Sequence, residues 1–137
     1  MYTPPSLRFA NAYRTVAAAS SVDGASAHRL IELLFDGLLQ SLAATRGAME
    51  RNEVATKGLQ IQRSIRFLEE GLKAGLDDAR GGELAAKLRS LYDYCVERLT
   101  VANLTNDATA VAEVASLISP VAEGWKEMGR GVSGQAT

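Results

Sequence analysis

A chain of 137 residues with 47% hydrophobic side chains suits one globular domain around one core, and is too apolar to remain disordered. Its 15 Lys and Arg against 16 Asp and Glu leave a formal net charge of −1, without the basic surplus that nucleic-acid or polybasic membrane binding requires. No apolar run approaches the ~20 residues of a spanning helix, Met1 to Arg8 has no apolar core for a signal peptide, and the lone Cys95 gives neither a disulfide framework nor a thiol zinc site. A cytoplasmic protein with no nucleic-acid partner and no membrane insertion is the expectation.

In chain order, Pro4 and Pro5 mark an extended arm, and Phe9 to Ala19 is a candidate short helix. Ser20 to Gly24 breaks it. Ser26 is a good N-cap for a long helix running to about Arg51, and Asn52 marks a turn. A second long helix is expected from Glu53 to about Ala79, weakened by Gly71 and Gly75. Arg80-Gly81-Gly82 is the clearest turn signal, followed by a helix from Glu83 to about Leu104. Asn106-Asp107 offers a stop and a new N-cap, and the last helix is expected over Ala108 to Met128. Pro120 within it predicts a kink or restart near Ser119, since an interior proline typically costs ~3 kcal/mol. No alternating β-branched run suggests a strand. Four helices joined by short turns predict an all-α fold, an antiparallel four-helix bundle with a short N-terminal helix or cap. The expected organisation is an arm or cap over 1–25, the bundle over 26–128 and a flexible tail over 129–137.

Periodicity assigns the faces. The last helix gathers Val111, Val114, Leu117, Ile118, Val121, Trp125 and Met128 in one arc, a single core stripe. The helix from Ser26 differs: Leu30, Ile31, Leu33, Leu34, Phe35, Leu38, Leu39 and Leu42 cover roughly 240°, against the ~100° that one core contact needs. Either it is the most buried helix or it carries a second apolar face for a partner. Leu34 and Leu88 are read as core, whereas Leu59, Phe67, Tyr94, Val101 and Leu104 fall off the core faces of their helices.

Catalytic and metal constellations are thin. His28, Glu32 and Asp36 share one helix face at i, i+4 and i+8, but one helix cannot close a metal site, and a solvated polar stripe accounts for them. Asp77 to Glu83 lacks the ligand spacing of a calcium loop, and Cys95 lies on a core stripe. No phosphate, dinucleotide or nucleophile-elbow motif is present. No enzyme activity, cofactor or metal is expected.

Several segments in order resemble the flagellar export chaperone family FliS. They are Met1-Tyr2-Thr3, Ala12-Tyr13, Ala25 to Gly37 (ASAHRLIELLFDG), Gly71 to Asp77 (GLKAGLD), Gly81-Gly82-Glu83-Leu84-Ala85, Leu91-Tyr92-Asp93-Tyr94, Ala102-Asn103-Leu104, Asn106-Asp107-Ala108 and Trp125-Lys126. The resemblance covers nearly the whole chain. Ala27 stands where the family usually has proline after the serine that opens the first bundle helix. The resemblance implies a four-helix bundle that binds the disordered C-terminal segment of flagellin along apolar inter-helix grooves, preventing premature polymerisation and keeping the client competent for export. It also implies an N-terminal cap displaced by the client, and allows further partners among flagellar export components. The candidate client-binding residues are Phe9, Tyr13, Leu33, Phe35, Tyr94, Val101 and Leu104. The alternative reading is a bundle used for self-association, such as a homodimer, or for a regulatory interaction without flagellin.

Overall fold

The computed structural model describes Phe9, residues 11–13 and residues 24–136, with side chains described for Phe9, residues 11–13 and residues 27–130. Among the described residues there is no strand, and four long helices carry the fold: α1 (Gly24–Glu50), α2 (Val54–Arg66), α3 (Asp78–Thr105) and α4 (Ala108–Ala136). Helix α2 runs directly into a π-helical segment, Phe67–Lys73. α1 lies against α2 and α4, and α3 closes the bundle from the other side, against α2, the π segment and α4. The short connections make neighbours antiparallel, as the all-α bundle expectation required.

The turns are specified by residues that tolerate a left-handed backbone. Asn52 adopts φ 57°, and the Asn52 and Glu53 N–H groups donate to the carbonyls of Met49 and Ala48, closing α1 with a Schellman motif. Asn106 repeats the device at φ 54° at the end of α3, with Asp107 N–H donating to Ala102 O. Lys57 reinforces that corner, its Nζ donating to Asn103 O and Asn106 Oδ1, both at 3.3 Å. Asp107 Oδ1 then accepts from the N–H groups of Thr109 and Ala110 and caps α4. Asp77 caps α3 through the Arg80 N–H, and Gly82, at φ 52° and ψ −129°, interrupts that helix after one turn. The regular part of α3 therefore starts at Glu83, where the glycine pair placed it.

Three local expectations are corrected. α1 begins at Gly24, two residues before Ser26. α4 continues without interruption through Pro120 to Ala136, past the expected end at Met128. Pro120 is exposed, so the carbonyl left without an N–H donor can be hydrated, and no break is needed. The expected helix to Ala79 instead widens at Phe67, where Ala74 N–H reaches back five residues to Glu69 O, and it ends before the Asp77 cap.

The core runs along the bundle axis. Ile31, Phe35, Leu38 and Leu42 of α1 meet Ile61, Leu68 and Leu72, and Leu88, Tyr92, Cys95 and Leu99 of α3 meet Val111, Val114, Ile118 and Trp125 of α4. Leu34, read as core from the sequence, is only half-buried, because the wide apolar arc of α1 wraps past the bundle interior. Burial pushes the Cys95 thiol up to about 11, so it is protonated and inert, as a core thiol should be.

Candidate functional site

The first element of the site is the N-terminal segment. Phe9, Asn11 and Ala12 are helical, Tyr13 turns, and the group lies across one end of the bundle. Phe9 and Tyr13 both meet the Trp125 indole edge-on, with centroids 5.5 and 5.4 Å away. The Tyr13 and Tyr92 hydroxyls share a buried hydrogen bond of 2.6 Å. Burial, and then Tyr92, raise the pKa of Tyr13 well above the usual tyrosine value, so both rings are neutral. Ala12 O accepts the Asp77 N–H at 2.7 Å. Gly81 makes that approach feasible, because a Cβ there would stand 2.7 Å from Ala12 Cα. The further arm residues Met1 to Arg8 lie outside the described residues, as does the expected break over Ser20 to Gly24 apart from Gly24 itself, which is helical.

Trp125 is held from its other side by α1. His28 stacks on the indole at 4.4 Å and 6°, and the Trp125 Nε1–H donates to His28 O at 2.9 Å. His28 Nε2 is buried without a hydrogen-bond partner. Its pKa is lowered from 6.5, first because burial disfavours the imidazolium, with the Glu32 carboxylate opposing. Asp36 approaches Lys126 at 3.5 Å, and Glu32 pairs with Arg29 at 3.1 Å. The stripe of His28, Glu32 and Asp36 is therefore not a solvated face: all three residues are half-buried, and His28 and Asp36 reach α4. Periodicity within one helix could not show this, since the partners lie nearly a hundred positions away.

The second element is an open groove of about 350 Å³ lined by Leu34, Arg63, Arg66, Phe67, Glu70 and Gly71. Two glycines shape it. A Cβ on Gly37 would come within 2.5 Å of the Phe67 ring, and one on Gly71 within 3.2 Å of Leu34. The tip of the Phe67 ring can thus approach the backbone of α1 at Gly37, and Leu34 can pack against the backbone of the π segment. π-helical turns occur frequently where function needs a side chain re-aimed. α1 also exposes Leu30 and Leu33, the latter 48% accessible, so its apolar residues are not all taken up by the core.

The candidate client-binding residues fall into three groups. Leu33, Tyr94 and Leu104 are exposed, Leu104 to 82%, and Val101 is half-buried. The Tyr94 hydroxyl donates to Glu113 at 2.6 Å, and Arg98 meets the same carboxylate at 2.7 Å. Those two contacts hold the Glu113 carboxyl below its ordinary range. Phe9 and Tyr13 are committed to Trp125 and Tyr92. Phe35 is 1% exposed and belongs to the core, so it offers a partner no surface here; one position along the wide arc of α1 separated it from half-buried Leu34. Sequence reasoning also passed over Leu34, Phe67 and Gly37 as groove-formers. The signal available was a glycine on a strongly apolar helix face opposite an off-core aromatic.

Among the described residues no group of three His, Cys, Asp or Glu could hold a metal ion, and no helix is long and apolar enough to cross a membrane. An all-α bundle with an open groove of mixed apolar and charged lining, one end of which carries its own N-terminal residues, belongs to the class of antiparallel helical bundles. Comparison with known proteins makes the assignment specific. The model of the family described as Flagellar protein FliS matches residues 9–132. The chain is 45% identical over 128 residues to the flagellar secretion chaperone FliS of Salmonella typhimurium, covering 93% of each protein. It is 44% identical over 113 residues to the flagellar secretion chaperone FliSB of Pseudomonas aeruginosa, covering 82% of this chain and 89% of that one. Against the Escherichia coli FliS chaperone the identity is 40% over 116 residues, covering 85% of each. The chain belongs to the FliS family.

Proposed function

We propose that this protein is a cytoplasmic flagellar secretion chaperone that binds the disordered C-terminal segment of flagellin, keeps it from polymerising and holds it ready for export. It acts by binding alone, without catalysis or cofactor. Membership of a family whose relatives are named flagellar secretion chaperones carries the reading. The second apolar face of α1 and the groove beside Phe67 support it, because a segment that coils into amphipathic helices needs its apolar side covered until export. Leu33, Tyr94, Val101 and Leu104 are the exposed or half-buried contacts assigned to the client.

The N-terminal segment and the client share a site in this reading. Phe9 and Tyr13 have no core of their own and cover Trp125, an aromatic surface that a client helix could use in their place. A covering segment lowers apparent affinity by the fraction of molecules in which the site is open. Deleting Met1 to Arg8 should leave flagellin binding equal or tighter. Hydrogen exchange at residues 9–13, free and bound, is the test: protection that is the same in both states, with unchanged affinity after the deletion, would count against a shared site. Gel filtration with and without the flagellin segment distinguishes this function from self-association as a homodimer.

A further inference from the structure

We infer that Arg63 makes the groove beside Phe67 selective for charge, so that it accepts an amphipathic client helix carrying a carboxylate beside its apolar anchor. This rests on the chaperone reading above and goes beyond it by naming the chemistry the groove recognises. The groove has an apolar floor, Leu34 and Phe67, and two cationic rims. The rims are not equivalent. Arg66 is neutralised by Glu70 of the same groove, Nε to Oε2 at 3.2 Å. Arg63 has no ion pair among the described residues; its guanidinium lies over the Phe67 ring, 5.7 Å from the centroid.

That placement has two consequences. The ring holds the side chain over the groove, so part of the ordering entropy is already lost before a ligand arrives. The planar fork keeps its donors free to meet a carboxylate in bidentate geometry, which a lysine would not reproduce. An occupant burying its apolar face on Leu34 and Phe67 would bring its flanking residues to Arg63. A carboxylate there completes the pair, whereas a lysine or arginine faces an uncompensated cation. With one groove cation unpaired among the described residues and a net charge of −1, a polyanion is a poor occupant.

The test is a calorimetric titration of the full-length chain with the C-terminal segment of flagellin from the same bacterium. Arg63→Gln should weaken binding about five-fold and Arg63→Glu more than about ten-fold. Lys87→Glu, an exposed reversal on α3, should leave binding unchanged. Circular dichroism melts of both Arg63 variants should match the wild type, because the side chain is exposed. Changing the segment's acidic residues to lysine one at a time should reveal one that restores binding to Arg63→Glu. If the wild type binds and both Arg63 variants bind equally well, charge selection by Arg63 is overturned while the chaperone reading stands. If the wild type itself does not bind the segment, the chaperone reading falls and this inference with it.

Discussion

Trp125 meets two rings of the N-terminal segment in T-shaped contacts and the His28 ring of α1 in a stacked one, so single side chains decide how firmly that segment is held. The Tyr13–Tyr92 hydrogen bond is the most exacting contact of that segment, being buried and made between two hydroxyls. Tyr13→Phe or Tyr92→Phe should each cost ~1–3 kcal/mol by stranding a hydroxyl, and the double variant should cost less than the sum. Urea unfolding of the four proteins measures the coupling. His28 is the pH-sensitive member. Its neutral form is favoured in the folded state, so its contribution is complete above the ordinary value of 6.5. Stability then falls as pH drops below that value and levels off once pH passes the lowered one. Unfolding midpoints followed from about pH 8 to pH 5 should show this loss in the wild type, and His28→Gln should flatten that part of the profile. None of this was legible in the sequence, where His28 reads as one polar residue on a charged stripe; the partner that buries it is a tertiary neighbour 97 positions away.

At the level of elements, the sequence was most informative where local chemistry dictates geometry. Asn52, Asn106 and Asp107 each act on backbone within a few residues, and the helix boundaries they predict stand, whereas the turn expected at Arg80-Gly81-Gly82 is a kink at Gly82 inside α3, and the chain turns before Asp77 instead. It was least informative where helices meet. The π segment has no composition of its own beyond Gly71, and the restart that Pro120 predicts as an alternative to a kink does not occur, since α4 is continuous through it. The two faces of α1 and α3 should separate in mutagenesis. Leu88→Ala removes a core side chain and should cost ~2–5 kcal/mol, whereas Leu34→Ala, at the groove wall, should fall below ~2 kcal/mol. Tyr94→Ala should leave the melting temperature nearly unchanged, since it gives up one exposed hydrogen bond to Glu113, yet it should weaken the client complex. A Tyr94→Ala protein that unfolds, with unchanged affinity in its folded fraction, would reverse the face assignment. Gly81→Ala should loosen the N-terminal segment, because the added methyl meets Ala12 backbone rather than a flexible side-chain end; faster amide exchange at Asn11 to Tyr13 is the readout.

On the scale of the whole molecule, the fold is a bundle with more apolar surface than its core consumes. Its N-terminal residues cover part of that surface, and the remainder, around Leu33, Phe67 and Leu104, stays open. The bundle itself was readable from four periodic segments, but which apolar residues were surplus was not. That depends on which neighbour each arc meets, as the separation of Phe35 from Leu34 shows. In the proposed chaperone function a disordered client would order itself on this open surface, and the burial would lower heat capacity. Calorimetric titration of the full-length chain with flagellin's C-terminal segment, repeated at several temperatures, tests this most directly. The expected result is a complex of about one to one with a clearly negative heat-capacity change. No heat, and no shift on gel filtration, at concentrations of tens of micromolar would contradict it.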